Sequence, residues 1–163
     1  MSTWTDVSDL ISMRCCSARG SADVTIPASG SSGDFTVKSG AKMKKIPLDT
    51  WANRNDTTLF TFSNGGVKLA EAGDYLISAS LCFTNAGTKD NHGIYIVDSS
   101  TSEIASAHYY NANDGLSNGS GLSPKILTFE ANTILYLCTY SQTTASPIVR
   151  GANSATFLTI IKL

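Results

Sequence analysis

Short segments with alternating apolar and polar residues follow one another along most of this chain, and this pattern limits its fold most. From Asp23 onward, about ten such segments recur at spacings of roughly 8–12 residues, separated by clusters of Gly, Ser, Asn and Asp. None of the intervening stretches has the 3.6-residue period of an amphipathic helix. The pattern therefore excludes alternating strand–helix units and predicts an all-β sandwich of about ten antiparallel strands.

The polar residues of the chain are mostly uncharged. Charged residues make up 15% of the sequence and the net charge is −1, whereas Ser and Thr number 22 and 18. A chain without excess positive charge has no bulk attraction to nucleic acid or to anionic lipid. No apolar run approaches the length that spans a bilayer. We therefore expect neither nucleic acid nor a membrane as a partner.

The first residues differ from the rest of the chain. Four apolar side chains lie at helical spacing, which predicts a short helix with one apolar stripe: Trp4, Val7, Leu10 and Ile11. A helix this short is marginal in water, so its stripe must pack against something. The segment 17–23, SARGSAD, has the composition of a hinge. We predict an attachment arm over residues 1–22 and a β domain over residues 23–163.

Two late segments are apolar on both faces. In 134–140, Ile134, Tyr136, Cys138 and Tyr140 share one face, and Leu135 and Leu137 share the other; in 156–163, Phe157 and Ile161 oppose Leu158 and Ile160. A strand with one wet face alternates instead. Either a loop or helix covers these strands, or they form a subunit interface. We favour the interface and assign to it the following residues: Ile134, Tyr136, Tyr140, Phe157, Leu158 and Ile160.

No catalytic or cofactor motif stands out. We expect His92 in a polar loop and His108 on a strand surface, and neither lies in a metal-binding sequence context. The chain has no G-x-S-x-G nucleophile elbow, no phosphate-binding glycine loop and no evident pair of carboxylates. We therefore predict a protein that is not an enzyme, with no catalytic residues, no metal site and no cofactor.

Three smaller features leave alternatives open. Residues 111–115, NANDG, partly match a calcium loop but lack its closing Glu, so a solvated loop is the alternative. Lys42, Lys44 and Lys45 fit a protected sheet edge or a contact with an acidic partner. Four cysteines form no C-x-x-C pair, and we expect Cys82 and Cys138 to be small buried hydrophobic residues.

The order of these segments resembles a known family. The segments 67–83 (VKLAEAGDYLISASLCF), 128–141 (TFEANTILYLCTYS) and 154–163 (SATFLTIIKL) resemble strands of the complement globular-head and tumour-necrosis-factor-like jelly roll. The places that the family fills with an apolar–Gly–Tyr–apolar pattern are taken here by Leu69, Gly73, Tyr75, Ile77 and Ala79. The resemblance implies a ten-stranded jelly roll that assembles as a homotrimer around the sheet of its terminal strands.

The same family occurs in bacteriophage virions, as capsid decoration proteins, head fibres and tail-fibre tips. The hydroxyl-rich, weakly charged composition is common among such proteins. We therefore expect a non-enzymatic virion-surface protein that is assembled in the host cytoplasm. Residues 1–20 would attach the trimer to a capsid or another virion protein. The alternative is a tail-fibre tip that binds a receptor or a host-surface glycan.

Overall fold

The computed structural model describes residues 14–28, 32–36, 40, 42–52, 55–84, 90–111, 118–141, 148–152 and 155–163. Within these ranges the chain forms fourteen β-strands. They are β1 (Cys15–Arg19), β2 (Val24–Thr25), β3 (Phe35–Thr36), β4 (Lys42–Ile46), β5 (Thr50–Trp51), β6 (Phe60–Ser63), β7 (Gly66–Leu69), β8 (Gly73–Thr84), β9 (Asp90–Asp98), β10 (Glu103–Asn111), β11 (Asn118–Phe129), β12 (Ile134–Ser141), β13 (Ile148–Val149) and β14 (Phe157–Lys162).

The strands form two antiparallel seven-stranded sheets. In the first sheet, β11 lies along one side of β8, and β14 and β13 share the other side; β1 and then β5 follow β14, while β2 follows β13. In the second sheet, β12 lies between β9 and the pair β4 and β7, with β10, β3 and β6 at the edges. The all-β sandwich is therefore confirmed, and ten of the fourteen described strands are four residues or longer.

The alternation within β8 explains where the core lies. Five alternate residues of this strand are buried between the sheets: Tyr75, Ile77, Ala79, Leu81 and Phe83. From the second sheet, Leu135 and Leu137 of β12 and Ile94 and Ile96 of β9 meet them. Burying one such side chain contributes about 1.5–3 kcal/mol. The period-two pattern read from the sequence therefore places the inter-sheet core correctly.

One side of the sandwich is closed by two stacked rings. Trp51 of β5, at the edge of the first sheet, lies 3.8 Å (centroid to centroid) from Phe62 of β6, at the edge of the second sheet. Both rings pack against the inter-sheet core. The pair therefore joins the edge strands of the two sheets through side chains.

The structure corrects two assignments near the ends and loops. Residues 15–19, which the sequence placed in the arm and its hinge, form β1 between β14 and β5. Cys16 and Ala18 of β1 are buried in the core, so this strand belongs to the sandwich. His92 lies in β9 rather than in a loop. The predicted helix and its stripe, Trp4, Val7, Leu10 and Ile11, lie outside the described residues.

Candidate functional site

The outward face of the first sheet carries a row of apolar side chains that crosses four strands. Ile126 of β11 pairs with Leu76 of β8, Leu76 pairs with Ile161 of β14, and Ile161 pairs with Cys15 of β1. In each strand, side chains alternate between the two faces of the sheet, so all four of these residues face away from the core. We call this set, Ile126, Leu76, Ile161 and Cys15, the apolar row.

The end of the apolar row is unusually exposed. Ile126 is 64% exposed and the C-terminal Leu163 is 62% exposed, and among the described residues they are the two large hydrophobic side chains in this class. The amide of Leu163 donates to the carbonyl of Asp74, two residues before Leu76 (N···O 3.0 Å). Both therefore lie toward the same end of the outward face, where apolar side chains remain open to contact.

Small hydroxyl side chains occupy the next row of the same face. Ser78 pairs with Thr159 and Thr159 pairs with Ser17, and the Thr159 hydroxyl donates to the Ser17 hydroxyl (3.2 Å). One row further, Gly121 pairs with Ser80 and Ser80 pairs with Phe157. Small residues let another backbone or sheet approach closely, so the face is suited to a flat protein contact.

The structure separates the six residues predicted as one interface. Phe157 lies on the outward face just described, half-buried. Leu158 and Ile160 point to the other side of β14 and are fully buried in the inter-sheet core. These two residues therefore leave no surface for a second copy, and their assignment to an interface is wrong. β14 is apolar on both faces because one face fills the core of its own chain.

The other three predicted interface residues lie in the second sheet, on the opposite outer face of the sandwich. Tyr136 is only 4% exposed and belongs to a small buried group, which we call the outer cluster: Met43, Tyr95, Val97, Tyr136 and Cys138. Ile134 and Tyr140 pack against it from the same strand. Tyr136 is thus covered within its own chain, although the sequence analysis assigned it to a subunit interface.

Side chains from the β3–β4 hairpin cover the outer cluster. The ring of Phe35 lies 4.9 Å from that of Tyr136 (centroid to centroid). The Lys45 ammonium lies 5.3 Å from the Tyr136 centroid and donates to the Asn64 carbonyl (2.7 Å). β4 has strands on both sides, so its lysines do not mark a sheet edge as one sequence alternative held. Lys45 instead caps an aromatic pair.

A charged group lies beside the apolar row. The Arg14 guanidinium donates to both carboxylate oxygens of Glu71 (2.9 and 2.8 Å) and through Nε to Asp56 (3.3 Å). The Lys162 ammonium also donates to Glu71. The hydrogen bonds from Arg14 and Lys162 lower the pKa of Glu71 to about 2. Hydrogen bonding to Glu71 and Asp56 in turn raises the pKa of Arg14.

Metal-binding side chains and cysteine thiols are the remaining candidates for chemistry among the described residues. No group of three or more His, Cys, Asp or Glu side chains that could hold a metal ion occurs among them. Burial raises the pKa of the Cys16 and Cys138 thiols, which keeps them protonated and unreactive. Cys82 and Cys138 are buried, as expected. Of the candidate calcium loop, residues 112–115 lie outside the described part of the chain.

Within the same described ranges, no helix has the length and apolar character needed to cross a membrane.

Comparisons with known proteins bear on the fold. The sequence matches no protein-family model and no curated protein. Among solved structures, the Eiger TNF from S. frugiperda matches with a TM-score of 0.60 and 13% sequence identity, over 93% of this chain and 92% of that chain. Murine APRIL, crystallised at pH 5.0, matches with a TM-score of 0.60 and 10% identity, over 91% of this chain and 98% of that one. The two sheets described above therefore form a TNF-like jelly roll.

Proposed function

We propose that the protein is a non-enzymatic binding module that assembles as a homotrimer through the outward face of its first sheet. One observation carries the proposal: the apolar row runs in register across four strands and ends at the exposed Ile126. A contiguous apolar patch on an otherwise hydroxyl-rich surface marks an interaction site. The trimer implied by the family resemblance supplies the partner, a second and third copy of the same face.

Subunit mass tests the assembly. We expect sedimentation equilibrium at micromolar concentration to give three times the 17.2 kDa mass of one chain. Ile126→Asp should dissociate the trimer, because each copy loses an apolar contact of about 1.5–3 kcal/mol and gains a charge at the contact. Ile126 is largely exposed in the single chain, so this change spares the fold.

Thr61→Asp is the matched control, because Thr61 is exposed on β6 in the second sheet. It introduces the same charge on the opposite side of the sandwich and should leave the trimer intact. A wild-type mass of one chain would overturn the assembly. An unchanged trimer for Ile126→Asp would overturn the assigned face.

We further propose that the trimer resides on a phage virion as a capsid decoration or head-fibre protein, attached through its N-terminal segment. The supporting observations are the apolar stripe of residues 4–11 and the weakly charged, hydroxyl-rich composition. A tail-fibre tip that binds a receptor or glycan is the alternative. Three arms on one trimer would bind with avidity.

The position of β1 limits how much of the N-terminal segment can be deleted in the attachment test. Deletion of residues 1–20 would remove a strand that pairs with β14 and β5, so the truncation should stop at residue 13. We expect the truncated protein to fold and assemble. It should no longer co-sediment with phage particles that were prepared without this protein. Trp4→Ala should weaken attachment most among single changes, because Trp is a frequent interface anchor. Unchanged co-sedimentation of the truncated protein would refute this role.

A further inference from the structure

Both ends of the described chain are held at one carboxylate. Glu71, in the turn between β7 and β8, accepts two hydrogen bonds from the Arg14 guanidinium and one from the Lys162 ammonium. Lys162 also donates through its ammonium to the Ala72 carbonyl (3.1 Å) and through its amide to the Arg14 carbonyl (2.8 Å). Arg14 and Lys162 are 148 residues apart in sequence, yet both contact the same side chain.

The position of Glu71 is itself fixed. The Tyr75 hydroxyl donates to the Glu71 carbonyl (2.6 Å), and the Lys162 ammonium lies 5.8 Å from the Tyr75 ring centroid. Tyr75 is fully buried in the inter-sheet core. The carboxylate is therefore anchored to the core through its own backbone, and two-point contact with Arg14 restricts the guanidinium to one orientation.

The strand that follows Arg14 is short. β1 has five residues, of which four are in register with β14 and two with β5. Strand ends open more easily than sheet centres, because fewer hydrogen bonds must break. The Glu71 contacts lie at the end of β1 where residues 1–13 join the fold. The Glu71 contacts therefore restrain the end of β1 at which the strand would begin to separate from the sheet.

We propose that Arg14, Glu71 and Lys162 form a terminal clamp, which keeps β1 in the first sheet and fixes the position of Arg14, the residue that directly precedes β1. β1 contributes Cys15 to the apolar row. The clamp therefore links the N-terminal segment to the face proposed for assembly; this link, though not the clamp itself, rests on the proposed function.

Trypsin offers a direct readout, because it must draw the Arg14 side chain into its acidic specificity pocket. In the full-length wild-type protein, the clamp engages both this side chain and the carbonyl of the bond to be cleaved. We expect Glu71→Ala to raise the rate of cleavage after Arg14 by up to about fivefold relative to cleavage after the exposed Arg150, as measured by mass spectrometry. Hydrogen exchange in residues 15–19 should accelerate by a similar factor, while exchange in residues 90–98 should not change.

Asp34→Ala is the matched control, since it removes the Lys44–Asp34 ion pair of the second sheet (3.2 Å) and should leave both rates at the wild-type value. Glu71→Gln keeps the size of the side chain and loses its charge, so it serves if Glu71→Ala fails to fold; it should accelerate cleavage by a smaller factor. Wild-type rates in a folded Glu71 variant would overturn the clamp. If the wild-type protein sediments as one chain, the trimer is refuted, and the cleavage ratio still tests the clamp.

Discussion

Two glycines leave room for tyrosine rings on the second sheet. A Cβ at Gly66 would lie 2.6 Å from the Leu135 carbonyl oxygen and 2.7 Å from Cδ1 of Tyr136. A Cβ at Gly93 would lie 2.1 Å from Cε2 of Tyr95. Because these two positions carry no side chain, the rings of the outer cluster fill the space that a Cβ would occupy.

Gly66→Ala should therefore destabilise the protein. The Leu135 carbonyl belongs to the backbone and cannot move aside, so overpacking should lower the free energy of unfolding by about 1–3 kcal/mol. Urea denaturation measures the change. Thr61→Ala is the control, because Thr61 is exposed on β6 and lies away from the face proposed for assembly. Equal stability of the two variants would contradict this account of the outer cluster.

Glu71 should make stability depend on acid. Hydrogen bonds from Arg14 and Lys162 lower its pKa from 4.5 to about 2 in the folded chain. The carboxylate therefore stabilises the fold above its unfolded pKa, and this contribution is lost as the pH falls through its folded pKa. In urea titrations, the stability difference between wild type and Glu71→Gln should shrink from pH 4.5 toward pH 2. A difference that stays constant over this range would show that the charge of Glu71 contributes nothing.

At the scale of the strand, β12 shows that an apolar second face need not meet another subunit. Its outward residues are covered by Phe35 and Lys45 from the β3–β4 hairpin and pack beside Tyr95 and Val97 of the neighbouring β9. The strand fills two cores of the same chain, a large one between the sheets and a small one outside.

Tyr136→Ala should accordingly reduce stability rather than assembly. Loss of a ring that is almost completely buried should lower the free energy of unfolding by about 3 kcal/mol. The trimer mass should persist wherever the variant is folded, which sedimentation can verify. Thr61→Ala, at an exposed site on β6, should change stability by less than about 0.5 kcal/mol. If Tyr136→Ala folds but the trimer dissociates, this result would instead support the interface assignment that was made from the sequence.

The strands also show which features a sequence pattern can predict. The alternation in β8 identifies five core residues correctly, and the two faces of β12 and β14 are divided as predicted. Periodicity reports which residues share a face, but it does not identify what covers that face. β1 escapes detection because its buried residues, Cys16 and Ala18, are small and next to serine and arginine. Glu71 and its partners escape because 57 and 91 residues separate them in sequence.

For the molecule as a whole, the four thiols should report on assembly. Cys15 is partly exposed on the apolar row, whereas Cys16, Cys82 and Cys138 are buried. A small alkylating reagent should modify Cys15 first in the native protein and all four cysteines in denaturant. If the trimer buries the apolar row, modification of Cys15 should slow as protein concentration rises. A rate that does not depend on concentration would place Cys15 outside the contact between copies.

The hydrogen bond between the Lys162 amide and the Arg14 carbonyl brings the two ends of the jelly roll together, so the chain can be circularly permuted. Since β1 and β14 are antiparallel neighbours, a linker of about two to five residues can join Leu163 to Arg14 as an ordinary hairpin. New ends can then open at Ser99–Ser100, in the exposed turn between β9 and β10. Such a circular permutant would keep every strand neighbour described above while starting at β10 and ending at β9.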